Sequence, residues 1–188
     1  MGEFSRFYKS ELPDAAFEDF WARLSLAGRE RRIGFDAPPL DAGGFCRWMR
    51  QPDIHAWLVR FRGETVGLCY LTQRQGSSAH VHFAMLPCGT ARTSGFPGVP
   101  RLPVIRAAAL FGLGAALWEG LATPRQLDTL IGITPGDDER ALHFIRTLGG
   151  EEVGVAPGLC WRFDEARNVP GVITVFRREC LPAWAAFL

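Results

Sequence analysis

The sequence predicts an α+β domain in three layers, with a mixed central sheet of about seven strands and helices on both faces. Three observations carry that expectation. Short apolar and β-branched runs separated by turn signals follow one another from Ala56 to Leu86, helical and strand patterns alternate after Pro103, and a strand pair around Asn168-x-Pro170-Gly171 closes the chain. At 188 residues, 47% apolar and 22% charged, the chain can bury roughly two thirds of its unfolded surface. One domain over residues 1–188 is expected, without a linker or internal repeat.

Phe4 to Tyr8 reads as a short strand. Pro13 and Asp14 open a helix in which Phe17, Phe20, Trp21 and Leu24 recur at helical spacing until Gly28 stops it. Phe45 to Met49 gives a second, short helix closed by Pro52. Ala56 to Phe61 and Val66 to Thr72 are strands joined as a hairpin at Gly63-Glu64, and Gly76-Ser77-Ser78 turns the chain into a third strand, Ala79 to Leu86, ended by Pro87. Gly, Pro, Ser and Thr then predominate from Cys88 to Arg101, which predicts a long irregular loop, a kind of segment that often carries function. Pro103 suits a first helical turn, so Val104 to Leu121 reads as a helix, although Gly112 and Gly114 each weaken its middle by about 1 kcal/mol. Thr129 to Thr134 is a β-branched strand, reached by a helix-crossed parallel step. Asp138 opens a helix whose Ala141, Phe144, Ile145 and Leu148 form one apolar stripe, ended by Gly149-Gly150. Leu159 to Phe163 and Val172 to Phe176 are the closing strands.

The charge balance excludes several functions. Lys9 is the sole lysine among 21 basic residues, and 20 acidic residues match them for a formal charge of +1. Arginines scattered in this way lack the local excess that a phosphate backbone needs, so no nucleic-acid partner is expected. Met1 to Glu11 is too polar for a secretory signal, and the longest uncharged apolar run, Ala107 to Trp118, is too short to span a bilayer, which points to the cytoplasm and no membrane. Five cysteines with no Cys-x-x-Cys pair support neither a disulfide framework nor a metal site.

This element order, with Gly63-Glu64-x-Val66-Gly67 at the first hairpin, resembles the GNAT (N-acetyltransferase) superfamily over roughly residues 4 to 177. Ala84-Met85-Leu86-Pro87 is similar to the end of that family's fourth strand, and Gly112-Leu113-Gly114-Ala115-Ala116-Leu117 to the glycine-rich opening of its third helix. Asp138 through Gly150 resembles its fourth helix, and the block from Leu130 to Gly150 is similar to phage and prophage members. The resemblance implies transfer of an acyl group from acetyl-CoA, or another acyl-CoA, to the amine of a small molecule or protein. The backbone of Met85 and Leu86 would then meet the pantetheine arm, and Gly112, Leu113 and Gly114 are one candidate for the pyrophosphate site. Arg92-Thr93-Ser94-Gly95-Phe96-Pro97-Gly98 is the other.

Two departures from the family pattern stand out. Ala109 occupies the place of the signature's Gln or Arg, and Ile145, beside Phe144, stands where many relatives carry a tyrosine that protonates the leaving thiolate. His80 and His82 share one face of a strand and are the candidate catalytic bases. A catalytically inactive GNAT-fold interaction or assembly protein of phage origin, its groove filled, is the competing expectation. The six tryptophans read as core or subunit contacts, Cys88 as an idle thiol, and His55 and His143 as structural or solvated. The apolar segment Leu181 to Leu188 is expected to dock on its own domain or on a second subunit, as in a homodimer.

Overall fold

In the computed structural model, which describes residues 3–30, 33, 40–95, 100–119 and 127–181, seven strands form one sheet: β1 (Phe4–Tyr8), β2 (His55–Phe61), β3 (Glu64–Gln75), β4 (Ser78–Met85), β5 (Thr129–Pro135), β6 (Glu151–Arg162) and β7 (Arg167–Arg177). Their order across the sheet is β1-β2-β3-β4-β5-β7-β6. All neighbours are antiparallel except β4 and β5, which are parallel because the chain crosses between them through α3 (Val104–Gly114). The expected α+β architecture is present.

Side-chain alternation divides the core into two layers. Trp57, Val59, Cys69, Leu71, Ala79 and Val81 pack against Ala107, Ala108, Leu110 and Phe111 of α3. Ala56, Leu58, Leu68, Tyr70, Ala84 and Leu86 face the other way, onto Phe17, Phe20, Trp21 and Leu24 of α1 (Asp14–Leu26) and Phe45 and Met49 of α2 (Ala42–Met49). Burying each such large side chain stabilises the fold by about 1.5–3 kcal/mol. The helix α4 (Glu139–Thr147) covers the sheet on the α3 side through Leu148 and Phe144.

Several boundaries move from their sequence expectations. Asp41 caps α2 by accepting the Gly44 N–H at 2.6 Å, so the helix begins at Ala42, three residues before the expected Phe45. β6 begins at Glu151, eight residues before the expected Leu159, and accommodates Pro157 and Gly158 in a register shift between Ala156 and Cys160. It can do so because it is the sheet's edge, where a missing N–H breaks no ladder. The edge position also leaves Val155 63% and Trp161 38% exposed, so Trp161 is not a core residue, whereas Trp21 and Trp57 are buried. The Trp118 side chain and the whole of 182–188, with Trp184, lie outside the described residues.

The segment from Cys88 to Arg101, expected to be irregular, folds back on itself where it is described. Arg92 bridges Pro103, the Thr93 N–H donates to the Leu102 carbonyl at 2.9 Å, and the Leu102 N–H donates to Thr93 Oγ1 at 2.9 Å. Glu3 pins this turn to the sheet end, accepting from Arg62 at 2.6 Å and from the Ser94 N–H at 2.7 Å. Residues 96–99, which include Phe96, Pro97 and Gly98 of the second glycine loop, lie outside the described residues.

Candidate active site

The parallel strands β4 and β5 pair only at Ser78↔Thr129, Ala79↔Leu130 and His80↔Ile131 among the described residues, yet both run on, to Met85 and Pro135. They splay into a V-shaped opening. Which backbone groups line it follows from the neighbouring ladders. The Leu86 N–H donates to Val66 at 2.9 Å, and this pair keeps the register of β3 and β4, so even-numbered β4 residues bond to β3 and odd-numbered ones face β5. On the other side the Gly136 N–H donates to Pro170 at 2.7 Å, which assigns even-numbered β5 residues to β7. The N–H and C=O groups of Phe83, Met85 and Ile133, with the Pro135 carbonyl, therefore point into the opening.

Of the two residues expected to offer backbone here, Met85 lies at the opening and Leu86 does not. The Leu86 N–H is bonded to β3 and its carbonyl accepts the Cys88 thiol at 3.3 Å. The Met85 carbonyl already accepts an N–H of Arg29 at 3.1 Å, from the chain just beyond α1. The Arg29 contact left no trace in the sequence, because it joins residues 56 positions apart.

The expected glycine cradle needs a correction. Gly112, Leu113 and Gly114 are buried inside α3, which continues without a break into a π-helical turn at Ala115–Glu119. Their N–H groups belong to the helix interior, and a Cβ on Gly112 would lie 2.9 Å from Cys69 Cβ. These glycines serve close packing of helix on sheet. The end of α3 that can meet an anion is its beginning. Pro103, at the N-cap, provides no side-chain cap; Val104 N–H is taken by the Ala91 carbonyl, and the first intrahelical bond is Ala107 N–H to Pro103. Among the described residues, Ile105 and Arg106 N–H have no partner, as the first N–H groups of a helix have none within it. The buried Nε of Arg106 in the same turn also has no hydrogen-bond partner. The second candidate is altered too, since Ser94 N–H is engaged by Glu3.

His80 and His82 lie on the α1–α2 face of β4. His82 stacks on Tyr70 at 4.6 Å with the rings 7° from parallel, and Tyr70 meets the edge of Trp48 at 5.3 Å. His82 Nε2 shares a 2.9 Å hydrogen bond with Thr72 Oγ1. Burial, helped by His80, pushes its pKa down to about 4, so the ring is neutral at pH 7. Burial also lowers the pKa of His80. On α4, Ile145 and Phe144 are half-buried and carry no proton to give. His143 is exposed, and His55 Nδ1 shares a 2.9 Å hydrogen bond with Tyr8 Oη at the far edge of the sheet. Burial raises the Cys88 thiol, with Arg23 and Arg29 pulling the other way. The described residues hold no cluster of three metal-ligating side chains and no helix long and apolar enough to cross a membrane.

No protein-family model matches the sequence, and no curated protein matches it by sequence. Solved structures do match. Spermidine N-acetyltransferase from Vibrio cholerae, in a complex with CoA and spermine, superposes with a TM-score of 0.67 at 12% identity, over 95% of this chain and 98% of that one. The Campylobacter jejuni N-acetyltransferase PseH gives a TM-score of 0.56 at 9% identity, over 94% and 99%. A dodecameric form of the Vibrio cholerae spermidine enzyme gives 0.62 at 12% identity, over 94% and 95%. The chain shares with them the GNAT fold, a seven-stranded mixed sheet with four helices.

Proposed function

We propose that this chain is an acyl-CoA-dependent N-acyltransferase, using acetyl-CoA or another acyl-CoA and acting on an amine. The observation that carries this reading is the opening between β4 and β5, where two parallel strands part and leave paired N–H and C=O groups without a strand partner. The neighbour with bound CoA supports the same reading at the level of the fold.

Acyl-CoA supplies an activated thioester on a long amide-bearing arm with a charged phosphate end, and the residues present suit each part. The arm's amides can complete the interrupted ladder on Phe83, Met85 and Ile133, as an added strand would. The phosphates suit the first-turn N–H groups of Ile105 and Arg106 and the guanidinium of Arg106, whose buried Nε has no partner, in place of Gly112 to Gly114. At the reacting end the chain contributes position more than proton transfer. α4 offers no acid at Ile145, and His82, its pKa lowered to about 4, is the neutral imidazole and not the imidazolium at neutral pH. His82 and His80 remain the groups that face the acceptor, as hydrogen-bond partners for its nitrogen. Most of the rate would then come from orientation and from backbone N–H groups at the opening.

The thermal midpoint of the protein, followed during titration with acetyl-CoA, tests this. A ligand at a hundred times its Kd adds about 2.7 kcal/mol of stability. No shift at millimolar acetyl-CoA would sink the proposal and leave the inactive interaction protein as the better account.

A further inference from the structure

Just beyond α1, where Arg29 reaches the opening, an arginine and a glutamate adjacent in the chain have bonding capacity that is largely unused. The Arg29 guanidinium donates to the Met85 carbonyl at 3.1 Å, and among the described residues none of its other N–H groups has a partner. Next to it in the chain, Glu30 has a buried Oε2 with no hydrogen-bond partner. The two are not paired with each other among the described residues.

Three other acidic groups at this end of the sheet are committed. Asp137 accepts from Arg162 at 2.6 Å and Arg167 at 2.9 Å, Asp138 caps α4 through the Ala141 N–H at 3.0 Å, and Glu3 holds Arg62 and Ser94. Asp19 lies 3.8 Å from Arg23. Arg23 itself donates to the Thr65 carbonyl at 3.1 Å, so a second guanidinium stands at the same strand ends. Both arginines are close enough to act on the Cys88 thiol just past β4. From β4 itself, His80 and His82 bring no positive charge at neutral pH. Ile131 and Ile133 from β5 bring none at all.

We propose that the amine acceptor is an amino acid, its carboxylate taken by Arg29 and its amino group by Glu30. This rests on the acyltransferase reading above. A planar guanidinium with free N–H groups binds a carboxylate in two parallel hydrogen bonds. A polyamine, by contrast, brings several positive charges and no negative one to a mouth already holding Arg23 and Arg29. The amino-acid nitrogen attacks the thioester carbonyl carbon; the new C–N bond forms as the C–S bond breaks, and the proton lost by nitrogen ends on the departing thiolate. The products are an N-acyl amino acid and free CoA thiol.

The test measures thiol release from acetyl-CoA by the full chain with each of the twenty amino acids, the matching amino-acid amides, spermidine and spermine. The expected result is a kcat/KM at least tenfold higher for the preferred amino acid than for its amide or for either polyamine. Arg29→Gln should raise KM for that amino acid at least tenfold and bring the acid-to-amide ratio toward one, and Glu30→Gln should raise KM as well. Should either variant fail to fold, the acid-to-amide ratio of the unaltered protein decides alone. Polyamines or amides used as well as amino acids, or no amino acid used by a protein that binds acetyl-CoA, overturns the inference and leaves the acyltransferase reading standing. Absence of acetyl-CoA binding overturns both.

Discussion

Gly112 on α3 rests directly against Cys69 on β3, so that a Cβ added to the glycine would fall 2.9 Å from Cys69 Cβ and 3.3 Å from its Sγ. The glycine is there because helix and sheet touch at that point. Gly112→Ala would force the helix off the strand, an overpacking cost of typically 1–3 kcal/mol, offset by up to about 1 kcal/mol of helix propensity. Denaturant unfolding should show a net loss, while the acetyl-CoA-induced shift in thermal midpoint stays that of the unaltered protein. A selective loss of CoA binding with full stability would restore the glycine-cradle reading. Cys69 gives a companion check. Burial pushes its thiol up to about 12, so it should resist thiol reagents until the chain unfolds.

The limits of the sequence reading are visible in the same pair. Periodicity locates α3 and the six strands other than β6, because each buries apolar residues whose spacing is local information. It could not say that Gly112 serves packing, since Cys69 is far away in the chain and glycine has the same letter in a phosphate loop. For the same reason Arg29 on the Met85 carbonyl, Glu3 on Ser94 and the free first turn of α3 were not legible. The start of β6 was missed for a different reason. An exposed edge strand carrying Pro157 and Gly158 need not alternate, so it leaves no pattern to find. The parting of β4 from β5, on which the candidate site depends, entered only through the family resemblance.

His82 should make stability depend on pH. Its pKa falls from an ordinary 6.5 to about 4 in the folded protein, chiefly through burial. Between those values the unfolded chain binds a proton that the native ring refuses, so stability present above pH 6.5 is lost as pH falls toward 4. The difference corresponds to roughly 3 kcal/mol. Chemical denaturation at pH 7 and pH 4.5 should show most of that loss, and His82→Gln should flatten the dependence in this window. An unchanged slope in the variant would mean that other groups carry it.

Arg106 separates binding from folding. A guanidinium in the first turn of a helix opposes the macrodipole, by about 0.3–1 kcal/mol near the surface, and its buried Nε lacks a partner. Arg106→Ala should therefore leave the thermal midpoint level or raise it. If the group receives a CoA phosphate, the same change removes a charged hydrogen bond of about 1.5–3 kcal/mol and weakens CoA binding by roughly 10- to 100-fold. Calorimetric titration of CoA into the two proteins reads the second effect independently of the first.

Asp138 ties the chemistry of the opening to the helix that follows it. Its Oδ1 accepts the Ala141 N–H at 3.0 Å and its backbone carbonyl accepts from Leu142 at 3.0 Å, so it fixes the first turn of α4 directly after β5. Asp138→Ala should cost about 1 kcal/mol by removing the cap, whereas Asp138→Asn, which retains a capping oxygen, should cost much less. Because α4 begins four residues beyond the end of β5 at Pro135, on the rim of the opening, fraying of that turn should reach the site. The alanine variant is therefore expected to raise the apparent Kd for acetyl-CoA while the asparagine variant leaves it near its original value. Equal binding by both, with the stability difference intact, would show that α4 braces the sheet without shaping the opening.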